Sequence, residues 1–215
     1  SSMGQYEKAV SDATRAIELD DKLSEAYESR ATAYAGLGKY DQSLADADKA
    51  IKLDPENGIA YIMRAGAYQR LGKREQALSD YDKAIEVGKT KTIKSMAYYG
   101  RAVFYGNTPG QLERAVADAT KAIELDPTSP NAYAVRAAAY SDLKTHDTEA
   151  IADATKAIEL FGDSKDAMLA VAYGCRARIL NRMAKYQQAI PDATRAIELN
   201  PNFDIPYEAR GTAYA

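Results

Sequence analysis

The chain has 215 residues, 46% of them hydrophobic and 27% charged, with a net charge of −3. That balance supplies a buried core but no positive field to draw nucleic acid or anionic lipid, so neither is an expected partner. One cysteine, Cys175, excludes an intramolecular disulfide, and no stretch approaches the roughly 18 apolar residues of a membrane span. The start, Ser1-Ser2-Met3-Gly4, has no basic-then-apolar leader pattern, which together with the single cysteine points to the cytoplasm.

Residues 5–19 read as a helix carrying the phrase Asp12-Ala-Thr-Arg-Ala-Ile-Glu-Leu-Asp20. The phrase returns at Asp46, Asp80, Asp118, Asp153 and Asp192. A second phrase, Tyr-x-x-Arg-Ala/Gly-x-x-Tyr, begins at Tyr27, Tyr61, Tyr98, Tyr133 and Tyr207, and at Tyr173 with Leu180 in place of its second Tyr. Tyr27, Arg30, Ala31 and Tyr34 fall on one helix face, as do Leu44, Ala47, Ala50 and Ile51 on the next helix. Gly36-Leu-Gly38-Lys39 is the turn between them, and Asp54-Pro55 and Asp126-Pro127 close helices. The links at Gly88–Thr92 and Phe161–Ser164 carry insertions, and the turns at Asn107–Gly110 and Thr145–Asp147 one extra residue each. Pro191, inside a second-helix pattern, is expected to bend or delay that helix.

Asp12, Asp46 and Asp80 are 34 residues apart, as are Arg30 and Arg64, and Arg176 and Arg210. A period of 34 with small and aromatic residues at fixed helical offsets resembles the tetratricopeptide repeat, over the whole chain. The resemblance implies an all-α, right-handed superhelical solenoid of antiparallel helix pairs, with about six repeats and half repeats at both ends. The expected divisions of this single solenoid are a half repeat at 4–23, repeats at about 24–57, 58–91, 92–129, 130–163 and 164–202, and a half repeat at 203–215. It also implies a scaffold that binds a peptide or protein segment in a concave groove lined by the first helices of each pair.

Arg30, Arg64, Arg101, Arg136, Arg176 and Arg210 stand where many repeats of this family carry Leu. Ala13, Ala47, Ala119, Ala154 and Ala193 stand where many carry a large aromatic, and only Tyr81 is large there. Each Ala follows an Asp. An arginine stem filling the space over the alanine, with its guanidinium on the aspartate, compensates for size and charge together. The expected ladder therefore joins these arginines to Asp46, Asp80, Asp118, Asp153 and Asp192. Pairing within a repeat (Arg30 with Asp46) and between repeats (Arg30 with Asp12) are both open. A phosphate-binding basic stripe is the other reading of the arginines, set against their place on the Tyr/Ala core face.

The groove edge varies from repeat to repeat. It takes Glu25, Glu28 and Thr32, then Ile59, Ile62, Gly66, Gln69 and Arg70, then Met96, Tyr99, Val103 and Asn107. It continues with Asn131, Ala134, Ala138 and Asp142, and ends with Val171, Arg178, Asn181 and Arg182. The run is acidic, apolar, small, then basic. The expected peptide-binding residues are Glu28, Ile59, Ile62, Met96, Tyr99, Val103, Arg178 and Arg182, with Arg178 and Arg182 drawing an acidic end of the ligand. The alternative is that a neighbouring first helix covers this edge. The family's carboxylate clamp for chaperone tails needs Asn and Lys in the groove. The positions flanking each ladder arginine hold no Asn, so that clamp is not expected.

Chemistry has little to work with. His146 sits alone in a turn, one Cys and one His make no zinc pattern, and no glycine-rich phosphate loop is present. Cys175 reads as a small buried hydrophobe rather than a reactive thiol. No enzyme, cofactor or metal is expected. Finally, the half repeats at the ends leave Val10, Ala13, Ala16 and Ile17 at one end and Tyr207, Gly211 and Tyr214 at the other for a second copy to cover. Head-to-tail homo-association is thus the alternative to a groove ligand, with plain fraying of the ends as its competitor.

Overall fold

The computed structural model describes residues 2–214. Ser1 and Ala215, where the expected head-to-tail contact brings chain ends together, lie outside the described residues. Among the described residues are twelve helices and no strand, in the order α1 Ser2–Leu19, α2 Ser24–Gly36, α3 Tyr40–Leu53, α4 Gly58–Arg70, α5 Arg74–Val87, α6 Lys91–Gly106, α7 Leu112–Leu125, α8 Pro130–Leu143, α9 Asp147–Phe161, α10 Ala167–Arg182, α11 Tyr186–Leu199 and α12 Asp204–Tyr214. The fold is an all-α solenoid of helix pairs, divided into two compact units, Ser1–Arg101 and Ala102–Ala215. In the N-terminal unit α2 packs on α3, α3 on α4, α4 on α5, and α2 also on α4. In the C-terminal unit the same order runs from α7 to α12, with α8 on α10 and α10 on α12.

Alanine makes the close packing possible. Ala31, Ala47, Ala50, Ala65, Ala119, Ala137, Ala154 and Ala177 are fully buried, and their single methyl groups let helix backbones approach without leaving voids. Larger side chains fill only particular gaps. The Tyr81 ring, the one aromatic in an alanine position, lies 2.5 Å from where a Cβ on residue 100 would sit, and residue 100 is glycine. The large residue in the alanine position is thus matched by a glycine facing it.

The turns follow local chemistry. Asp20, Asp54, Asp126 and Asn200 each accept the backbone N–H two residues on, at 2.9, 2.9, 3.0 and 3.2 Å, an Asx turn that ends α1, α3, α7 and α11. Within the pairs, Gly38, Gly72 and Gly110 turn the chain in the left-handed region, while Lys144 and Ala184 do so at φ 57° and 56° without glycine's freedom. Pro191 does not delay its helix. α11 starts at Tyr186, six residues before Asp192, just as α3 starts at Tyr40, six before Asp46.

The N-terminal face expected to be bare is partly covered by the chain itself. Ala13 is buried, and Ile17 packs on Tyr27, Ala50 and Ala60. Val10 and Ala16 are half-buried. The reason is that α1 lies on α2 and turns its alanine face toward its own chain. Met3, Tyr6 and Leu19 are the large exposed hydrophobic side chains of α1.

Candidate functional site

Four rungs of the arginine ladder adopt the pairing within the repeat. Nε and Nη2 of Arg30 donate to the two oxygens of Asp46 at 2.7 and 2.8 Å. Arg64 grips Asp80 at 2.7 and 2.7 Å, Arg136 grips Asp153 at 2.7 and 2.8 Å, and Arg176 grips Asp192 at 2.6 and 2.8 Å. The aspartates are buried, and the arginines are about a fifth exposed. Each guanidinium also lies 5.4–5.9 Å from the ring of the tyrosine three residues earlier, including Arg101 over Tyr98 and Arg210 over Tyr207. The bidentate bond to the carboxylate holds the Arg30, Arg136 and Arg176 guanidinium pKa above its ordinary value, against the opposing cost of burial.

The remaining nitrogen, Nη1, reaches back to the preceding second helix. Its acceptor is Thr14 for Arg30 at 3.1 Å, Asp48 for Arg64 at 2.7 Å, Thr120 for Arg136 at 3.1 Å and Thr155 for Arg176 at 3.0 Å. Asp82 serves Arg101. Every one of these acceptors stands two residues after the aspartate that opens the repeated Asp phrase, a regularity that pairing arguments from Asp and Arg alone miss. Arg30, Arg64, Arg136 and Arg176 therefore each fasten three helices, and their guanidinium groups are largely spent on the scaffold. That leaves no basic stripe for phosphates along the four described rungs.

In the N-terminal unit, the expected groove residues are only partly available. Ile62 is buried at 7% exposure. Helix α4 packs on both α2 and α3, so the covered-edge alternative holds for this side chain. Glu28 is half-buried, and Asn57 Nδ2 donates to it at 2.9 Å and to Ser24 Oγ at 3.2 Å. Burial raises the Glu28 pKa, opposed by the Asn57 bond and reinforced by Glu25. Ile59 and Tyr99 are half-buried, and Met96 is exposed.

The C-terminal unit brings more of the expected set together. A cavity of about 210 Å³ is lined by Val103, Gly106, Asn107, Leu112, Val135, Ala138, Ala139, Asp142, Met168 and Val171. A second, of about 230 Å³, is lined by Arg178, Asn181, Arg182, Ile205, Glu208, Ala209 and Thr212. Arg178 and Arg182 do not stand ready for an external acid as the sequence suggested. Arg178 is bonded to Ser141 and Asp142, and Arg182 to Asp147 and the Ser141 carbonyl. Their partners lie about one repeat earlier in the chain, on and just after α8, where a reading of single helices does not look.

Cys175 is buried, and burial pushes its thiol up to about 11, far from nucleophilic use at neutral pH. His146 stacks on Tyr140 with ring centroids 4.8 Å apart and meets Thr145 Oγ1 at 2.7 Å. Among the described residues no group of His, Cys, Asp and Glu could hold a metal ion.

Paired helices, a repeated polar stitch and shallow cavities on the variable edge define a protein-interaction scaffold. The comparisons agree on its kind. Tetratricopeptide repeat family descriptions match residues 24–57, 59–87 and 170–203, so the chain carries tetratricopeptide repeats. No curated protein matches it. Among solved structures it is similar to a tetratricopeptide repeat protein from Parabacteroides merdae, with 23% identity over 99% of this chain and 79% of that one, at a TM-score of 0.66. It is also similar to YrrB, described as a tetratricopeptide repeat protein with an unusual peptide-binding site, with 19% identity over 93% and 97% of the two chains at a TM-score of 0.60. The PilF protein of Pseudomonas aeruginosa aligns at a TM-score of 0.77, with 14% identity over 97% of this chain and 90% of that one.

Proposed function

We propose that the chain is a scaffold whose C-terminal unit binds an extended peptide segment of another protein across its two cavities. The observation that carries this reading is that Val103, Asn107, Ala138, Asp142 and Val171, residues the repeat does not need for its own packing, line one apolar hollow, with Arg178 and Arg182 lining the next. The tetratricopeptide repeats support it, and so does the peptide-binding site described for the similar protein YrrB. Within the N-terminal unit, taken by itself, Glu28, Ile59, Met96 and Tyr99 are proposed as the contacts of that unit's own variable edge. The test is a fluorescence-anisotropy screen of extended peptides against the whole chain, repeated with Ala138→Phe, which fills the first hollow. Peptides that bind the parent and lose at least roughly tenfold with the variant support the groove. Hits that bind both chains equally exclude it.

Self-association is the second reading, favoured by one observation. Arg210 lies over Tyr207 and has no carboxylate partner among the described residues, while Asp12 on α1 is exposed, as are Tyr207 and Tyr214. A second copy offering Asp12 to Arg210 would add one more rung. Sedimentation velocity over a wide concentration range tests it: growth that Asp12→Arg removes supports the contact, and a monomer throughout rules it out.

A further inference from the structure

The two cavities of the C-terminal unit meet at an ion pair. Asp142 lines the first cavity and Arg178 the second, and Arg178 Nη2 donates to Asp142 Oδ1. Arg178 does not depend on Asp142 for its position. Its Nε and Nη2 both donate to Ser141 Oγ, at 3.0 and 2.8 Å, and Ser141 is fully buried. Its Nη1 makes no hydrogen bond among the described residues. Asp142 is the looser partner, with its side chain 45% exposed against 28% for Arg178. The arginine is thus anchored from behind, with one donor nitrogen, Nη1, unused, and is met in front by a carboxylate that can swing into water.

We propose, building on the groove reading above, that Asp142 is an internal stand-in for an acidic residue of the ligand. The peptide class recognised carries an apolar residue close to an aspartate or glutamate. The apolar side chain enters the hollow between Val103, Leu112, Val135, Met168 and Val171. The ligand carboxylate takes the Nη1–Nη2 edge of Arg178, and Asp142 turns out to solvent. Two considerations make the exchange feasible. A half-exposed ion pair is screened by water and contributes little, so releasing Asp142 costs little. A ligand carboxylate on that edge makes two parallel bonds where Asp142 makes one.

Charge alone does not draw the ligand. Arg178 and Arg182 are offset by Asp142, Asp147 and Glu208, so an acidic peptide without the apolar residue gains nothing at long range. A basic residue is the opposite candidate, attracted to Asp142 and Glu208. It would have to sit beside two guanidinium groups and share a carboxylate oxygen already engaged by Arg178, which disfavours it.

Three sets of fluorescein-labelled hexapeptides decide the matter. Each peptide has one leucine followed, one to three residues later, by Glu, Gln or Lys. Binding is read by anisotropy with the whole chain and with Asp142→Asn, Arg178→Gln and Ala138→Phe, each checked for retained helicity. The expected result is tighter binding of the Glu set than the Gln set, and a further gain of roughly two- to fivefold for the Glu set alone in Asp142→Asn. In Arg178→Gln the Glu and Gln sets bind alike. A Glu-to-Gln ratio unmoved by Asp142→Asn, or a Lys set that binds best, overturns the stand-in while Ala138→Phe still blocks binding and the groove survives. No binding by any set, or binding that Ala138→Phe leaves intact, overturns the groove and the stand-in with it.

Discussion

The N-terminal and C-terminal units repeat the same helix pair and the same arginine stitch, yet their variable edges differ in depth. In the N-terminal unit Ile62 is buried and Glu28 is tied to Asn57 and Ser24, so side chains close the edge. In the C-terminal unit a hollow of about 210 Å³ remains, its lining including the small residues Gly106, Ala138 and Ala139. The stitch differs as well. Nη1 of Arg64 and Arg101 falls on the carboxylates Asp48 and Asp82, whereas Arg136 and Arg176, like Arg30 at the start of the N-terminal unit, meet the hydroxyls of Thr120, Thr155 and Thr14 in turn. The repeat therefore holds its backbone by residues that hardly vary and leaves pocket depth to the size of a few that do.

The sharpest way to break that comparison is through the stitch. Asp153→Ala leaves Arg136 buried against Tyr133 with no carboxylate, and a loss of about 3 kcal/mol in chemical denaturation is expected. Asp80→Ala in the N-terminal unit should cost less, because Asp48 still meets Arg64. Equal losses at the two sites would deny the carboxylate acceptors any separate role.

The next effect tests the pair of Tyr81 and Gly100 in the N-terminal unit. Gly100→Ala places a methyl 2.5 Å from the Tyr81 ring and should cost roughly 2 kcal/mol by overpacking. In a Tyr81→Ala background, which restores the alanine common to the other repeats, the same change should be neutral or stabilising. A double-mutant cycle measured by thermal unfolding checks the coupling.

The smallest expected effect lies at Glu28. Its raised pKa means that the folded chain binds the proton more tightly than the unfolded chain does. The sign follows: Glu28 favours folding below the ordinary glutamate pKa, and that contribution is lost as pH rises through the raised folded value. Glu28→Gln keeps an acceptor for Asn57 and removes the charge, so stability at neutral pH should rise by less than about 0.5 kcal/mol, since half the group is in water. The variant's stability should also be flatter across the acid range. No comparable change is expected from Asn107→Asp on the open edge of the C-terminal unit.

Much of this architecture was legible in the chain itself, and the reasons it stopped being legible are specific. Six copies of two phrases give the helix pairs, and the exchange of Leu for Arg and of aromatic for Ala points to the ladder. The register was open because Arg30 is 16 residues from Asp46 and 18 from Asp12, both compatible with facing helices. The third acceptor was visible as Thr or Asp two places after every ladder aspartate, but its meaning depends on which helix crosses behind the guanidinium. The groove was less legible. Whether Ile62 is open or covered depends on how closely the neighbouring helix approaches. Arg178 and Arg182 are claimed by residues 35–41 positions away. Long-range proximity of that kind leaves no periodic mark.

The stitch also sets how the scaffold comes apart. Because each of Arg30, Arg64, Arg136 and Arg176 bonds its own repeat and the one before it, opening one helix pair strands a guanidinium in its neighbour, and melting in either unit should spread rather than stay local. In nearest-neighbour terms the ladder moves stability from within repeats to the junctions between them. Amide exchange within each unit should then show long blocks of helices with nearly uniform protection, giving way only where a junction lacks a rung.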